Sequence, residues 1–178
     1  ILLDVDNHTY GEDTTFKVTL PHDVTENVTI TIDGKSYSVK PDTNGIATLT
    51  LNNISGGLHS LTVTYPGDDE YVGHSNSTTF EIARAESDID VEFATPQIVG
   101  NDVLFNVNMG ESINTTATLS VGSQNYTVVI TNGKGSYIVS GLANATYNIK
   151  ATFAGNENYT ASASAIKQLA VNKLPIEI

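Results

Sequence analysis

Twenty carboxylates and four histidines, His8, His22, His59 and His74, are the side chains of this chain with chemistry to offer. Cysteine is absent, which removes disulfides, thiolate metal ligands and cysteine nucleophiles together. The histidines lack the i, i+4 spacing that turns two imidazoles of a helix toward one metal ion, so packing and surface roles are expected of them. Serine is plentiful, yet no Gly-x-Ser-x-Gly elbow presents one as a nucleophile. Asp68-Asp69-Glu70 reads as a loop, whereas a glycosidase needs two acids facing each other across a cleft. No catalytic residue is expected, and the chain does not read as an enzyme.

Stepping from these side chains to the elements beneath them, a duplication organises everything. Val28–Val39 (VTITIDGKSYSV) lies over Ala117–Val128 (ATLSVGSQNYTV), with Tyr37 on Tyr126 at an offset of 89. Asn44-Gly45 meets Asn132-Gly133 at an offset of 88, and Leu61–Tyr71 then meets Ile149–Tyr159. Upstream, Gly11 meets Gly100 and Phe16-Lys17-Val18 meets Phe105-Asn106-Val107. One register spans nearly the whole chain, the signature of a repeated structural unit. It sets domains at 1–85 and 86–173, with a linker near Arg84–Asp88. Residues 174–178 then open a following repeat, since Ile176-Glu177-Ile178 resembles Ile89-Asp90-Val91.

Within each copy the hydrophobic period is two. Val28, Ile30 and Ile32 point one way and Thr29, Thr31 and Asp33 the other; Leu61, Val63 and Tyr65 alternate with Ser60, Thr62 and Thr64. Such alternation describes strands with one face buried and one wet. Thr, Asn and Ser make up 54 of the 178 residues, and the Thr, Val and Ile content favours strands over helices. Strands are expected near 1–6, 14–20, 27–33, 36–40, 46–52, 59–65 and 77–83, with Asp33-Gly34 and Asn44-Gly45 at hairpin turns. About seven short strands per copy predict an all-β chain of tandem immunoglobulin-like β-sandwiches. His59, and Tyr147 at the same place in the second copy, fall where the tyrosine corner of such folds sits.

In this frame the first copy carries Gly34, Tyr37, Asn44, Gly45, Gly56, Gly57, His59, Leu61, Val63, Tyr65, Gly67, Asp68 and Tyr71. Their pattern resembles bacterial Ig-like repeats of group 3, and is similar above all to those of adhesin-like surface proteins of methanogenic archaea. The second copy departs from it, with Asn156 for Asp68 and Tyr147 for His59. The resemblance implies an extracellular, cell-surface location and a structural or adhesive role. The chain would be a monomeric segment of a longer repeat array, a stalk or adhesion module whose partner is another cell or a cell-wall polymer. A carbohydrate-binding module of a surface protein or cell-wall enzyme is the alternative, although Trp is absent and exposed aromatics are few.

Charge narrows the partners further. Lys plus Arg is 8 against 20 acids, a net charge of −12. Nucleic acid and anionic membrane surfaces both require a basic stripe, which so few cations do not make. No run of about 18 apolar residues is present, so this segment is not expected to insert into a membrane. An amide cross-link between Lys17 and a carboxyl or carboxamide is not expected, because Lys17 alternates with core residues and faces water.

Eight Asn-x-Ser/Thr sequons, at Asn7, Asn27, Asn53, Asn76, Asn114, Asn125, Asn144 and Asn158, are candidate glycosylation sites. No cofactor is expected. One metal site is entertained, calcium at the domain junction. In an immunoglobulin topology Glu12, Asp13 and Asp33 of the first copy, Glu86 and Asp88 of the linker, and Glu111 and Glu157 of the second copy converge there. A hard cation with oxygen ligands would offset their repulsion.

Overall fold

The computed structural model describes residues 1–6, 8–110 and 112–177. Among these every regular element is a strand. The chain divides into two compact units: Ile1–Ala85 with Glu157–Tyr159, and Glu86–Asn156 with Thr160–Ile178.

The first unit is built from β1 (Leu2–Val5), β2 (His8–Thr9), β3 (Thr14–Thr19), β4 (Val28–Ile32), β5 (Lys35–Val39), β6 (Ile46–Leu51), β7 (Gly57–Gly67) and β8 (Val72–Ala83). They form a three-stranded sheet, β1-β3-β6, and a five-stranded sheet, β2-β8-β7-β4-β5. The period-two pattern decides which faces meet. Phe16, Val18 and Ala47 of the smaller sheet and Val28, Ile30, Leu61, Val63, Tyr65, Phe80 and Ile82 of the larger are all buried in one core. Phe16 and Phe80 meet edge-on with ring centroids 5.1 Å apart. Apolar area removed from water supplies the main driving force.

The second unit repeats the plan with β9 (Ile89–Glu92), β10 (Gln97–Ile98), β11 (Val103–Met109), β12 (Thr115–Val121), β13 (Gln124–Ile130), β14 (Lys134–Val139), β15 (Ala145–Phe153), β16 (Ser162–Ala163) and β17 (Lys167–Asn172). The sheets are β9-β11-β14 and β10-β17-β15-β12-β13, with β16 paired to β15. Val91, Phe105, Leu119, Ile149 and Leu169 are among the fully buried side chains of its core. Both units are immunoglobulin-like sandwiches, and the chain is all-β.

The structure refines the expected strands in two ways. The first strand of each copy is split, and its halves belong to different sheets. β1 runs antiparallel to β3 and β9 to β11, while β2 pairs in parallel with β8 and β10 with β17. The second refinement concerns Asn44-Gly45, which is no hairpin turn. It carries the chain from β5 in one sheet to β6 in the other. There Asp42 Oδ1 accepts the N–H of Asn44 at 2.8 Å and of Ile46 at 2.9 Å, and the Gly45 carbonyl accepts the Leu20 N–H at 2.9 Å. A Cβ on Gly45 would run into the Pro21 carbonyl oxygen, and one on Gly133 into that of Gly110. Glycine therefore recurs because the backbones approach closely there. Asp33-Gly34 does form the expected tight hairpin: φ is 46° and 83°, and Ile32 pairs with Lys35.

Candidate functional site

A buried histidine anchors the first polar cluster of the first unit. Strand β7 carries His59 inward, where it is 8% exposed and stacks on Phe80 with ring centroids 5.2 Å apart. Its Nδ1 lies 2.6 Å from Asp33 Oδ2 and its Nε2 2.7 Å from the Ser55 carbonyl oxygen. Asp33 Oδ1 accepts the Ser60 N–H at 2.8 Å and the Ser60 hydroxyl at 3.2 Å. The His59 hydrogen bond leads in holding the Asp33 carboxyl below the usual carboxylate range, against an opposing contribution from burial.

A carboxylate-oriented histidine is the positioning half of a nucleophilic triad. Here the second nitrogen is spent on a main-chain carbonyl instead of a nucleophile's hydroxyl. The arrangement ties the β4–β5 turn to the start of β7. The equivalent Tyr147 donates its hydroxyl to the Ala143 carbonyl at 3.0 Å, the same reach of four residues upstream. Its ring packs over Gly122, which stands where the first copy has Asp33; a Cβ on Gly122 would lie 3.2 Å from Tyr147 Cδ1. Both side chains thus perform the tyrosine-corner task.

A second cluster closes the β7–β8 loop. Asp68 Oδ1 accepts the N–H groups of Glu70 at 2.9 Å and Tyr71 at 2.8 Å, and its Oδ2 accepts the hydroxyl of buried Tyr65. The Tyr71 hydroxyl reaches Asp23 Oδ1 at 2.7 Å. Burial, with the Asp68 carboxylate adding to it, pushes the Tyr65 phenol up to about 12. The Tyr65 and Tyr71 donors hold Asp68 below its usual range, and the Tyr71 hydroxyl does the same for Asp23. Beside this loop lies an open cleft of about 460 Å³ lined by Asp23, Thr25, Glu26, Asp68, Asp69 and Glu70. Asp68 and Asp23 are already committed to tyrosines and main chain.

Among the described residues, no three His, Asp or Glu side chains gather in a group that could hold a metal ion. Of the acids expected around calcium, Asp33 is bound to His59 and Ser60, Glu12 Oε2 accepts the Thr9 N–H at 2.9 Å, and Asp88 Oδ1 accepts the Ile89 N–H at 3.0 Å. Asp13, Glu86 and Glu157 are exposed, and Glu111 lies outside the described residues. Glu12, Asp13, Asp33 and Glu157 belong to the first unit, Glu86 and Asp88 to the second.

The sequon asparagines Asn27, Asn53, Asn76, Asn114, Asn125 and Asn144 are exposed, and Asn7 lies outside the described residues. Asn158 is half-buried, and its Oδ1 accepts the Gly56 N–H at 2.9 Å. The Asn144 Nδ2 donates to the Val171 carbonyl at 2.7 Å.

One ion pair escaped the sequence. Lys167 Nζ lies 2.8 and 3.0 Å from the two Asp90 oxygens and 2.8 Å from the Val91 carbonyl, joining β17 to β9. Amide formation would need a neutral amine and a neutral acid. The two side chains are instead 39% and 49% exposed, and Lys167 holds Asp90 below the usual carboxylate range. They form an ion pair. Residues 77 positions apart carry no local signal of such a contact. Lys17 is exposed.

The profile of the bacterial Ig-like domain (group 3) matches residues 3–83, which is the first copy; an archaeal source is not part of that match. No curated protein matches the chain. Among solved structures, the chain is similar to a two-domain fibronectin type-III segment of chicken tenascin at 11% identity and TM-score 0.47, covering 93% of this chain and 94% of that one. It is similar to a 1.5-MDa bacterial ice-binding adhesin at 17% identity and TM-score 0.38, covering 97% of this chain. The chain spans 65% of that adhesin structure. The fibronectin(III)-like modules of Clostridium thermocellum CbhA align at 12% identity and TM-score 0.39, covering 99% of this chain and 97% of theirs. These likenesses concern the fold alone.

Proposed function

We propose that this chain is a structural and adhesive segment of an extracellular cell-surface protein, a load-bearing spacer that also presents a binding face. The observation that carries the reading is the parallel pairing of the first and last strands in each copy. In the first unit His8 and Thr9 pair with Ile82 and Ala83, extended by the Tyr10 N–H to the Ala83 carbonyl at 2.8 Å. In the second unit Gln97 and Ile98 pair with Val171 and Asn172, extended by the Val99 N–H to the Asn172 carbonyl at 2.9 Å. When a unit is pulled by its two ends, parallel terminal strands are drawn past each other. Their hydrogen bonds are then loaded together in shear rather than opened one at a time. Such a geometry suits a module that transmits tension along a chain.

The match of residues 3–83 to a bacterial Ig-like domain supports a surface setting. Exposed sequons at Asn53, Asn76, Asn114 and Asn125 suit a glycosylated exterior. The partner in this reading is another cell or a cell-wall polymer. Calcium at the acidic loops has its own test, melting in millimolar calcium and then with chelator; a site of about 10 μM affinity at 1 mM calcium would stabilise by about 2.7 kcal/mol.

The adhesive half is tested by coupling the purified chain through one end to beads and flowing them over microbial cells and isolated cell walls. Retention several times that of beads bearing an unrelated acidic β-sandwich supports the reading. Retention equal to that control on every surface overturns it.

A further inference from the structure

The outer face of the first unit's larger sheet carries a regular pattern of hydroxyls. Cross-strand pairing aligns Ser75, Thr64, Thr29 and Ser38 in one row across β8, β7, β4 and β5, and Ser77, Thr62, Thr31 and Ser36 in the next. Each row reads Ser-Thr-Thr-Ser. The hydroxyls are pre-oriented: Thr64 bonds Ser75 at 2.7 Å, Thr62 bonds Ser77 at 2.9 Å, Thr31 bonds Ser36 at 2.9 Å, and Asn27 Nδ2 donates to Ser38 at 3.0 Å. The hydroxyls of Thr31, Thr62 and Thr64 bond serines of the flanking strands β5 and β8. Strand spacing makes each row about 14 Å long, with the rows about 7 Å apart. In a chain of net charge −12, both rows are free of charged side chains.

The second copy supplies an internal comparison. At the places of Thr62 and Ser75 it has Lys150 and Ala163, so its face carries a charge and fewer hydroxyls. The shared scaffold therefore does not require the rows.

We propose that this face of the first unit is a binding platform for a neutral polysaccharide. The inference rests on the surface-adhesion reading above and names its ligand class. A pyranose chain offers the two features the rows answer. Its hydroxyls donate and accept, matching side chains that each hold one donor and two lone pairs. Its C–H faces are apolar, and each threonine of the rows also carries a methyl group. The uncharged rows neither repel such a polymer nor gain from counter-ions, so binding along them is insensitive to salt. Sheet twist of about 20–25° between neighbouring strands bends the rows into a saddle, which suits a pliant chain better than a flat crystal surface. Contacts of neutral hydroxyls are individually weak, and repetition along a polymer compensates.

The test is native affinity electrophoresis of the full chain through gels containing soluble β-glucan, mannan, xylan or galactan. The comparison variant carries Thr62→Lys and Ser75→Ala, the residues that the second copy has at those places, together with Ser77→Ala. Its melting curve serves as the folding check. The proposal expects retardation by at least one polymer, unchanged in 0.5 M salt, and an affinity at least about fivefold weaker in the variant, one lost hydrogen bond being worth about that factor. Absence of retardation in all four gels, retardation equal in the variant, or retardation abolished by salt overturns it. Beads carrying the variant are run over the same cells. If they adhere as well as wild type, this platform fails while the adhesive reading stands; if neither bead adheres, both fail.

Discussion

His59 and Tyr147 occupy the same place in the two copies, and each binds the carbonyl oxygen four residues upstream, His59 to Ser55 at 2.7 Å and Tyr147 to Ala143 at 3.0 Å. Their neighbours have changed in concert. The histidine keeps an aspartate at position 33, while the tyrosine needs the bare Gly122 beneath its ring. The two pairs are alternative solutions to one corner. His59→Tyr alone sets a ring over half-exposed Asp33 and costs about 1.5–3 kcal/mol, the loss of a hydrogen bond to a charged group. Adding Asp33→Gly recovers at least about 1 kcal/mol of that loss, a coupling typical of residues in contact. Chemical denaturation of the four proteins in the cycle checks it; additive losses would show the corner is not shared.

Acid should unfold the first unit before the second. Asp23, Asp33, Asp42 and Asp68 are all held below the usual carboxylate range there, by tyrosine, histidine and main-chain donors, against Asp90 among the described carboxyls of the second unit. A carboxyl whose folded value is depressed stabilises the fold above its unfolded value, about 3.9 for Asp, and loses that contribution as pH falls through the folded value. Residue-resolved NMR from pH 5 downward should show first-unit resonances lost first, with Asp68→Asn reducing the difference. Simultaneous loss from both units would contradict this.

Alkali should find Tyr65. Its folded value is pushed up to about 12, chiefly by burial and then by Asp68. A raised folded value means that its stabilising contribution is complete below the unfolded value near 10 and is lost as pH rises through the folded one. Tyr71, through its bond to Asp23, and Tyr159, through burial, are raised as well, so ultraviolet titration should show several late-ionising tyrosines, one fewer in Tyr65→Phe, together with a weaker fall in stability above pH 10. An unchanged titration in the variant would refute the assignment.

Glycine at the sheet crossover is sterically required. Gly45→Ala and Gly133→Ala should each cost about 2–4 kcal/mol, because a Cβ meets main-chain carbonyls at a positive φ. Gly34→Ala, at a positive φ with open space around it, should cost about 1 kcal/mol. Equal losses at Gly34 and Gly45 by thermal melting would remove the close-approach argument.

The fold was legible because a period-two pattern survives duplication: Val28, Ile30 and Ile32 announce β4 in one copy as Ala117, Leu119 and Val121 announce β12 in the other. What a linear pattern does not carry is the sheet to which a strand belongs. The split of the first strand between sheets depends on pairing with residues more than seventy positions away, as His8 does with Ile82. Asn44-Gly45 has the composition of a hairpin turn and yet crosses between sheets, since composition sets local φ and not the partner. The same limit hid the Asp90–Lys167 pair and the alignment of the hydroxyl rows, whose members are individually ordinary outward-facing residues. The corner at His59 was visible through its alignment with Tyr147, although its bond to Asp33 was not.

The load-bearing role rests on parallel terminal strands in each unit, and pulling one molecule by its ends tests it most directly. Two separate unfolding events are expected, each releasing about 25–30 nm of chain, since a unit of this length extends to about 3.3–3.6 Å per residue. Lower unfolding forces are also expected when Tyr10 or Val99 is replaced by proline, because each substitution removes an N–H that bonds the last strand. A single event of twice that length, or rupture forces unchanged by both substitutions, would contradict the account.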